Sequence, residues 1–139
     1  ICAGIGRGQM EVIDQRVAER SANHEFYKNI FKNHDGVQLF TEPSEEYQSN
    51  HWLNAIIIHP EKTGNKDREF WRLAFAEENI ETRPLWKPMH LQPLFADKMY
   101  FGANISETLF NNGLCLPSGS NLTDDDKERI YKVIKKLIE

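Results

Sequence analysis

The run Trp-Leu-Asn-Ala-Ile-Ile-Ile at 52–58 limits how this chain can fold more than any other segment. Its end is continuously apolar and β-branched, which is typical of a strand that is buried on both faces and has neighbours on both sides. His59-Pro60 follows at once, and a proline lacks the amide hydrogen that would continue the ladder. The sequence therefore predicts a sheet with this segment in a central position.

The segments around this strand alternate between helical and extended patterns. Apolar spacings of three and four, together with capping residues, predict helices at 7–34, 67–79, 104–112 and 123–138. Shorter alternating or apolar runs predict extended pieces at 37–40, 80–83 and 114–116. This order of elements predicts an α/β or α+β fold in which helices cover a small sheet.

Several helix ends carry start and stop signals. Asp67 and Thr123 are suited to accept hydrogen bonds from the first turns of the helices that follow them. Asn104, with Glu107 three residues on, fits a capping box, and Gly113 fits a left-handed helix exit.

The first predicted helix would be about 40 Å long, which exceeds what a small domain needs. Two interpretations remain open. Residues 1–33 form a long interdomain helix and 34–139 form a small C-terminal domain, or the helix is an ordinary one that covers the core. The chain opens on Ile1 rather than methionine, so we expect that an N-terminal segment precedes it.

Composition excludes several classes of function. There are 17 basic and 21 acidic residues, and no basic stripe favours a nucleic-acid partner. No apolar run approaches the roughly 20 residues of a membrane span, and no secretory signal is visible. Two cysteines, Cys2 and Cys115, make no disulfide framework, which indicates a reducing cytoplasm.

Three familiar kinds of site are not supported by the residues. Gly-Ile-Gly-Arg-Gly at 4–8 follows no strand and lacks dinucleotide-loop spacing. The histidines show no paired metal-ligand spacing, and no Cys-x-x-Cys is present, so we expect no metal site. No Gly-x-Ser-x-Gly elbow is present either.

The segment 83–93 is the best candidate for a functional site. Three prolines between Pro84 and Pro93 stiffen a stretch that carries four candidate substrate-binding side chains: Arg83, Trp86, Lys87 and His90. A guanidinium can pair with a phosphate or carboxylate, an indole can stack on a sugar or base, and an imidazole can bond a hydroxyl. Alternatively, the large side chains fill the core and the polar ones are structural partners.

Three contiguous motifs are more specific than these single residues. They are Ile-Cys-Ala-Gly-Ile-Gly-Arg-Gly-Gln-Met at 1–10, Arg-Pro-Leu-Trp-Lys-Pro-Met-His at 83–90, and Leu-Cys-Leu-Pro-Ser-Gly-Ser-Asn-Leu-Thr at 114–123. Together they resemble the DegT/DnrJ/EryC1/StrS aminotransferases over the whole chain. The likeness is strongest to the branch that acts on UDP-linked 4-keto-6-deoxy sugars in cell-surface polysaccharide and glycan biosynthesis.

The resemblance implies the small C-terminal domain of a fold-type I enzyme, with a mostly antiparallel sheet, in a homodimer. Its cofactor would be pyridoxal 5'-phosphate, its amino donor glutamate and its acceptor a nucleotide sugar. In this family the cofactor lysine lies in a large N-terminal domain, which this sequence does not contain. We therefore expect no catalytic or cofactor-binding residue in this chain, and no activity or cofactor binding from the chain alone.

Two other functions remain open. The chain is a stand-alone binding or assembly module without chemistry, or it belongs to a pyridoxal-phosphate-dependent sugar dehydratase of the same fold. The reading frame upstream of Ile1 would distinguish the module from the enzyme.

Overall fold

The structure, a computed structural model, describes all 139 residues. Its helices are α1 (Cys2–Met10), α2 (Ile13–Phe31), α3 (Arg68–Glu77), α4 (Ile105–Asn112) and α5 (Asp124–Ile138). Its strands are β1 (Val37–Leu39), β2 (Asn54–Ile58), β3 (Arg83–Pro84) and β4 (Gly113–Leu116). Short 3-10 turns lie at Pro60–Lys62, Met89–Leu91 and Pro93–Phe95. No helix combines the length and the apolar character that a membrane-spanning segment needs.

The four strands form one antiparallel sheet in the order β1-β2-β4-β3. The apolar run at 52–58 is central, as predicted, because β2 pairs with β1 on one side and β4 on the other. The mixed fold of helices on a small antiparallel sheet is also as expected.

The main core lies on one face of this sheet. Alternate residues of a strand point to the same face, and Ile56 and Ile58 of β2 meet Leu114 and Leu116 of β4 there. The helices cover that face with buried side chains: Tyr27 and Phe31 of α2, Trp71 and Phe75 of α3, and Ile130, Val133, Ile134 and Leu137 of α5. The predicted apolar stripe of the last helix is therefore confirmed.

The sheet residues in between point the other way. Ala55, Cys115 and Arg83 are partners across three strands, so their side chains share the opposite face. Helix α4 contacts β4 and β2. Arg83 is therefore held by an edge strand on the side of the sheet that faces away from the main core.

A buried polar seam joins α2 to the ends of β2 and β4. Asn23 Nδ2 donates to the Gly119 carbonyl at 2.9 Å, and the Tyr27 hydroxyl donates to the Pro117 carbonyl at 2.8 Å. His24 Nδ1 lies 2.8 Å from Asn54 Oδ1. Burial raises the pKa of Tyr27, so its hydroxyl remains a proton donor at every physiological pH.

The single helix predicted over 7–34 is wrong: the chain forms two helices that are interrupted at Glu11 and Val12. The Val12 amide bonds the carbonyl of Gln9, three residues back, and its φ of −120° leaves the helical range. No residue of α1 is buried, so no packing within this chain holds α1 and α2 together as one continuous hydrogen-bonded helix.

The expected bounds of α4 are confirmed, with Asn104 and Gly113 at its cap positions, but the expected form of both caps is wrong. Asn104 makes no side-chain cap, and the Glu107 carboxylate, the other half of the expected box, bonds His90 instead. Gly113 is not left-handed; at φ −93° and ψ 138° it begins β4. Smaller shifts place the start of β2 at Asn54 rather than at residue 52, and Pro84 inside edge strand β3 rather than beyond it.

Gly113 is required for close approach rather than for backbone conformation. A Cβ at this position would overlap Leu85 Cδ1 and the Leu109 carbonyl oxygen. We predict that Gly113→Ala lowers the free energy of unfolding by about 1–3 kcal/mol through overpacking. Denaturant unfolding measures this change. Gly6→Ala is the control, because nothing lies within 4 Å of its Cβ position, and equal effects of the two substitutions would contradict the prediction.

A capping box begins α5: the Asp126 amide donates to Thr123 Oγ1, and the Thr123 amide donates to Asp126 Oδ2. The Thr123 hydroxyl and amide lower the pKa of Asp126. A lowered folded-state pKa adds stability above the unfolded-state pKa, and this stability is lost as the pH falls through the folded-state value.

We therefore predict that Asp126→Asn lowers the melting temperature at pH 7 and that the difference from the parent shrinks at about pH 3. Thermal unfolding at both values measures it. Asp125→Asn is the matched control, since it removes the same charge from the same turn without breaking the box. If Asp125→Asn destabilises as much, the hydrogen bonds of the box contribute nothing.

Candidate functional site

The segment 83–93 leaves β3 and runs along the surface as an ordered, irregular stretch. The Leu85 amide donates to the Gly113 carbonyl at 3.3 Å, which ties the start of the segment to β4. Further along, Gln92 Nε2 donates to the Lys87 carbonyl at 3.2 Å, across the turn at Met89–Leu91. The prolines and these bonds fix the backbone, so its side chains extend from a rigid base.

Arg83 lies at the root of this segment. Its guanidinium pairs with the Glu81 carboxylate at 2.6 Å, and its side chain remains 77% exposed. An exposed ion pair of this kind contributes little to stability. The guanidinium is therefore accessible and can exchange Glu81 for another anion.

Trp86 forms an exposed indole pair with Trp52, which precedes β2. Their ring centroids lie 6.4 Å apart with an interplanar angle of 39°. Trp86 is 68% exposed and Trp52 is 62% exposed, so neither ring fills the core. Sequence reasoning assigned Trp52 only to the strand and missed its place beside Trp86.

Lys87 is exposed, and its ammonium makes no hydrogen bond or ion pair within the chain. It is thus a free cation next to the indole pair. The interpretation of the large side chains as core plugs is wrong for Trp86 and Met89, which are both exposed.

His90 is the most constrained of the four predicted side chains. Its Nε2 lies 2.9 Å from Glu107 Oε1, and its ring stacks on Tyr100 with centroids 3.8 Å apart. Tyr100 is held in turn, because its hydroxyl donates to the Ala103 carbonyl at 2.7 Å. Glu107 therefore takes up Nε2 and leaves Nδ1 as the ring atom for a ligand.

A small cavity of about 260 Å³ lies at the root of the segment, lined by Leu53, Glu81, Thr82, Arg83, Cys115 and Leu116. Burial raises the pKa of the Cys115 thiol, so this thiol is protonated and unsuited to act as a nucleophile. Of the four predicted side chains, only Arg83 borders this cavity. The four share no hydrogen bond, ion pair or ring contact with one another. What joins them is the rigid segment they extend from.

The residues of this chain do not fit a pyridoxal phosphate site by themselves. A lysine that held this cofactor would need a sheltered cleft and a nearby carboxylate to support the chemistry that the cofactor supplies. Here no lysine is buried. The most sheltered ones include Lys66, whose ammonium donates to the Leu137 carbonyl at 2.8 Å. No step of the chemistry is therefore assigned to a lysine of this chain.

A second cluster was missed entirely: His24, Glu42 and His51 meet where α2 faces the loop 41–53. Burial, reinforced by the neighbouring His24, lowers the pKa of His51. Backbone amides of Glu42 itself and of Ser49 lower the pKa of the Glu42 carboxyl. These residues are 18 and nine positions apart in the chain, so no local spacing reveals them.

Comparison with known proteins agrees with the three motifs. The model of the DegT/DnrJ/EryC1/StrS aminotransferase family matches residues 1–135. The pyridoxal phosphate-dependent aminotransferase EpsN of Bacillus subtilis (strain 168) is 40% identical, over 99% of this chain and 35% of its own length. GDP-perosamine synthase of Escherichia coli O157:H7 is 30% identical, over 99% of this chain and 35% of its own length.

A solved structure supports the fold. The aminotransferase TlmJ from Streptoalloteichus hindustanus superimposes with a TM-score of 0.84 at 19% identity, over 96% of this chain and 35% of that one. The chain thus spans about a third of the length of the proteins it matches. By the match over 1–135, this chain belongs to the DegT/DnrJ/EryC1/StrS aminotransferase family.

Proposed function

We propose that this chain is the C-terminal part of a pyridoxal-phosphate-dependent aminotransferase. The enzyme would transfer an amino group from glutamate to the keto carbon of a UDP-linked 4-keto-6-deoxy sugar in the cytoplasm, as a homodimer. The observation that carries this proposal is the continuous family match over residues 1–135. The UDP-linked sugar rests on the resemblance of the three motifs at 1–10, 83–90 and 114–123 to one branch of the family, and the glutamate donor rests on the family alone.

The amino-transfer chemistry belongs to the cofactor, which residues outside this chain would bind. The role of this chain would be to form the wall of the cleft that receives the nucleotide sugar. A rigid wall loses little conformational entropy when the ligand binds, and it keeps bulk water away from the reacting groups. The stiff segment 83–93 has the properties that this role needs.

Each exposed side chain of the segment suits one part of a nucleotide sugar. Arg83 would exchange Glu81 for a phosphate, which it can bind through two parallel N–H bonds. Lys87 adds a second cation for the diphosphate. Trp86, backed by Trp52, offers an aromatic face for the sugar or the base.

His90 would bond a sugar hydroxyl. In the neutral ring Nε2–H donates to Glu107, so Nδ1 accepts a hydrogen bond and does not donate one. The stack on Tyr100 keeps the ring plane fixed. Glu107 would thus be a positioning residue that acts through His90.

We predict that His90→Ala and Arg83→Ala, made in the full-length enzyme, each lower kcat/KM by about 10-fold or more, since each removes a polar contact with substrate. Steady-state kinetics with the nucleotide sugar measures this. Lys98→Ala is the control, because that lysine pairs only with Asp97 outside the segment. Unchanged kinetics in both variants would refute the assignment of the segment.

The role of Glu107 makes a separate prediction. Glu107→Ala should lower kcat/KM several-fold in the full-length enzyme because it frees the His90 ring, and Glu107→Gln should recover part of the loss. A double-mutant cycle tests the coupling: in a His90→Ala background, Glu107→Ala should have almost no further effect. If the two losses simply add, Glu107 does not act through His90.

A further inference from the structure

Three side chains of the kinds that bind transition metals meet on the α2 side of the sheet, in a cluster separate from the segment 83–93. One ligand atom from each of His24, Glu42 and His51 lies within 4.8 Å of the other two. Two imidazoles and one carboxylate form a ligand set that suits zinc and similar divalent ions.

The hydrogen bonds around Asn54 determine the tautomer of His24. The Ser118 hydroxyl donates to the Leu116 carbonyl at 2.8 Å, so its oxygen accepts from the Asn54 amide at 2.8 Å and from Asn54 Nδ2 at 3.1 Å. Asn54 therefore presents Oδ1 to His24, and His24 Nδ1 must carry the proton of their 2.8 Å bond. The lone pair of the neutral ring then lies on Nε2.

This arrangement matches what metal-binding histidines require. Such a histidine donates its other ring N–H to an oxygen, which fixes the ring orientation and raises the basicity of the ligating nitrogen. Asn54 supplies that oxygen at a position that is 99% buried, and His24 is 96% buried. His24 is thus a preorganised ligand with its Nε2 available.

Glu42 and His51 come from the loop that covers His24. The Ser49 amide donates to Glu42 Oε1 at 3.2 Å, and His51 Nε2 lies 3.5 Å from the same oxygen. His51 has a φ of +47°, a left-handed conformation that is uncommon outside glycine. Such backbone strain is concentrated at functional positions, and here it places the imidazole of His51 over His24.

The rings of His24 and His51 stack with centroids 4.0 Å apart and an angle of 14°. A metal ion lies near the plane of each imidazole that binds it, so two rings stacked face to face in separate planes cannot both direct a lone pair at one ion. One ring must therefore turn when an ion binds. Asn54 holds His24, whereas His51 belongs to a loop and is only partly buried, so His51 is the ring that turns.

A surface cavity of about 310 Å³ provides room for this movement. Glu42 and His51 border it together with Phe40, Tyr47 and Leu53. With three protein ligands, a tetrahedral ion keeps one position for water or another small ligand, and this cavity can hold it.

We propose that His24, Glu42 and His51 form a binding site for one divalent zinc-class ion. It lies outside the nucleotide-sugar wall and does not depend on the proposed enzymatic function. Binding exchanges the imidazole stack for coordination through His24 Nε2, His51 and the Glu42 carboxylate.

The test is calorimetric titration of zinc chloride into full-length protein that has been treated with chelator, with cobalt(II) absorption as a report on coordination geometry. We expect one high-affinity ion per chain and an increase in melting temperature with zinc. His51→Ala and Glu42→Gln should each weaken binding by about 10-fold or more. Both changes are on a surface loop, and circular dichroism checks that the variants remain folded.

His59→Ala is the matched control, because His59 also lies beside a carboxylate, at 3.6 Å from Glu61, but outside the cluster. Its affinity for zinc should equal that of the parent. Absence of stoichiometric binding, or equal zinc affinity in the parent, His51→Ala and Glu42→Gln, would overturn the proposal. The three side chains would then serve only to hold the loop 41–53 against α2.

Discussion

The bond between His24 and Asn54 is the interaction on which the arrangement of this domain depends. Asn54 begins the central strand, and through Ser118 its hydrogen bonds reach the residues that follow β4. A buried polar group that loses its partner costs about 1–3 kcal/mol. Helix α2 therefore has one favourable position on the sheet, the one in which every group of this seam is paired. Apolar packing alone would tolerate small shifts along the helix axis, and this seam does not.

The sheet in turn determines where the exposed segment 83–93 lies. Edge strand β3 pairs only with β4. Because Gly113 has no side chain, Leu85 can pack closely against the start of β4. On the other side of the segment, α4 brings Glu107 to His90. The rigid base and the constrained imidazole thus have separate origins, one in the sheet and one in a neighbouring helix.

Local patterns predicted the elements whose determinants are local. The isoleucine run of β2 and the Thr123 cap of α5 are contiguous signals, and the structure contains both. The first helix was predicted as a single one because the pattern of spacing passes through Glu11 and Val12 without a proline or other breaker. The buried face of α2 also carries Asn23 and His24, whose partners lie in distant parts of the chain, so the apolar pattern revealed only the Tyr27 and Phe31 part of its packing.

The residues of the candidate site also fall into two groups: those that a local sequence pattern reveals and those that only the tertiary structure brings together. Its four candidate side chains could be singled out because they lie within eight residues of each other, and the contiguous motifs were sufficient to recognise the family. The partners that shape the site could not be singled out, since Glu107 fitted a local capping role equally well and Trp52 looked like part of a strand. The cluster of His24, Glu42 and His51 depends wholly on tertiary structure.

The contact between Trp52 and Trp86 links two loops that are otherwise far apart in the chain. Trp52 directly follows His51, and its carbonyl is bound by Arg20 of α2 at 2.9 Å. The position of Trp52 at the end of this loop therefore determines where the indole that contacts Trp86 lies. Insertions or deletions in that loop would therefore alter the breadth of the exposed aromatic surface, even in relatives with the same residues at 83–90.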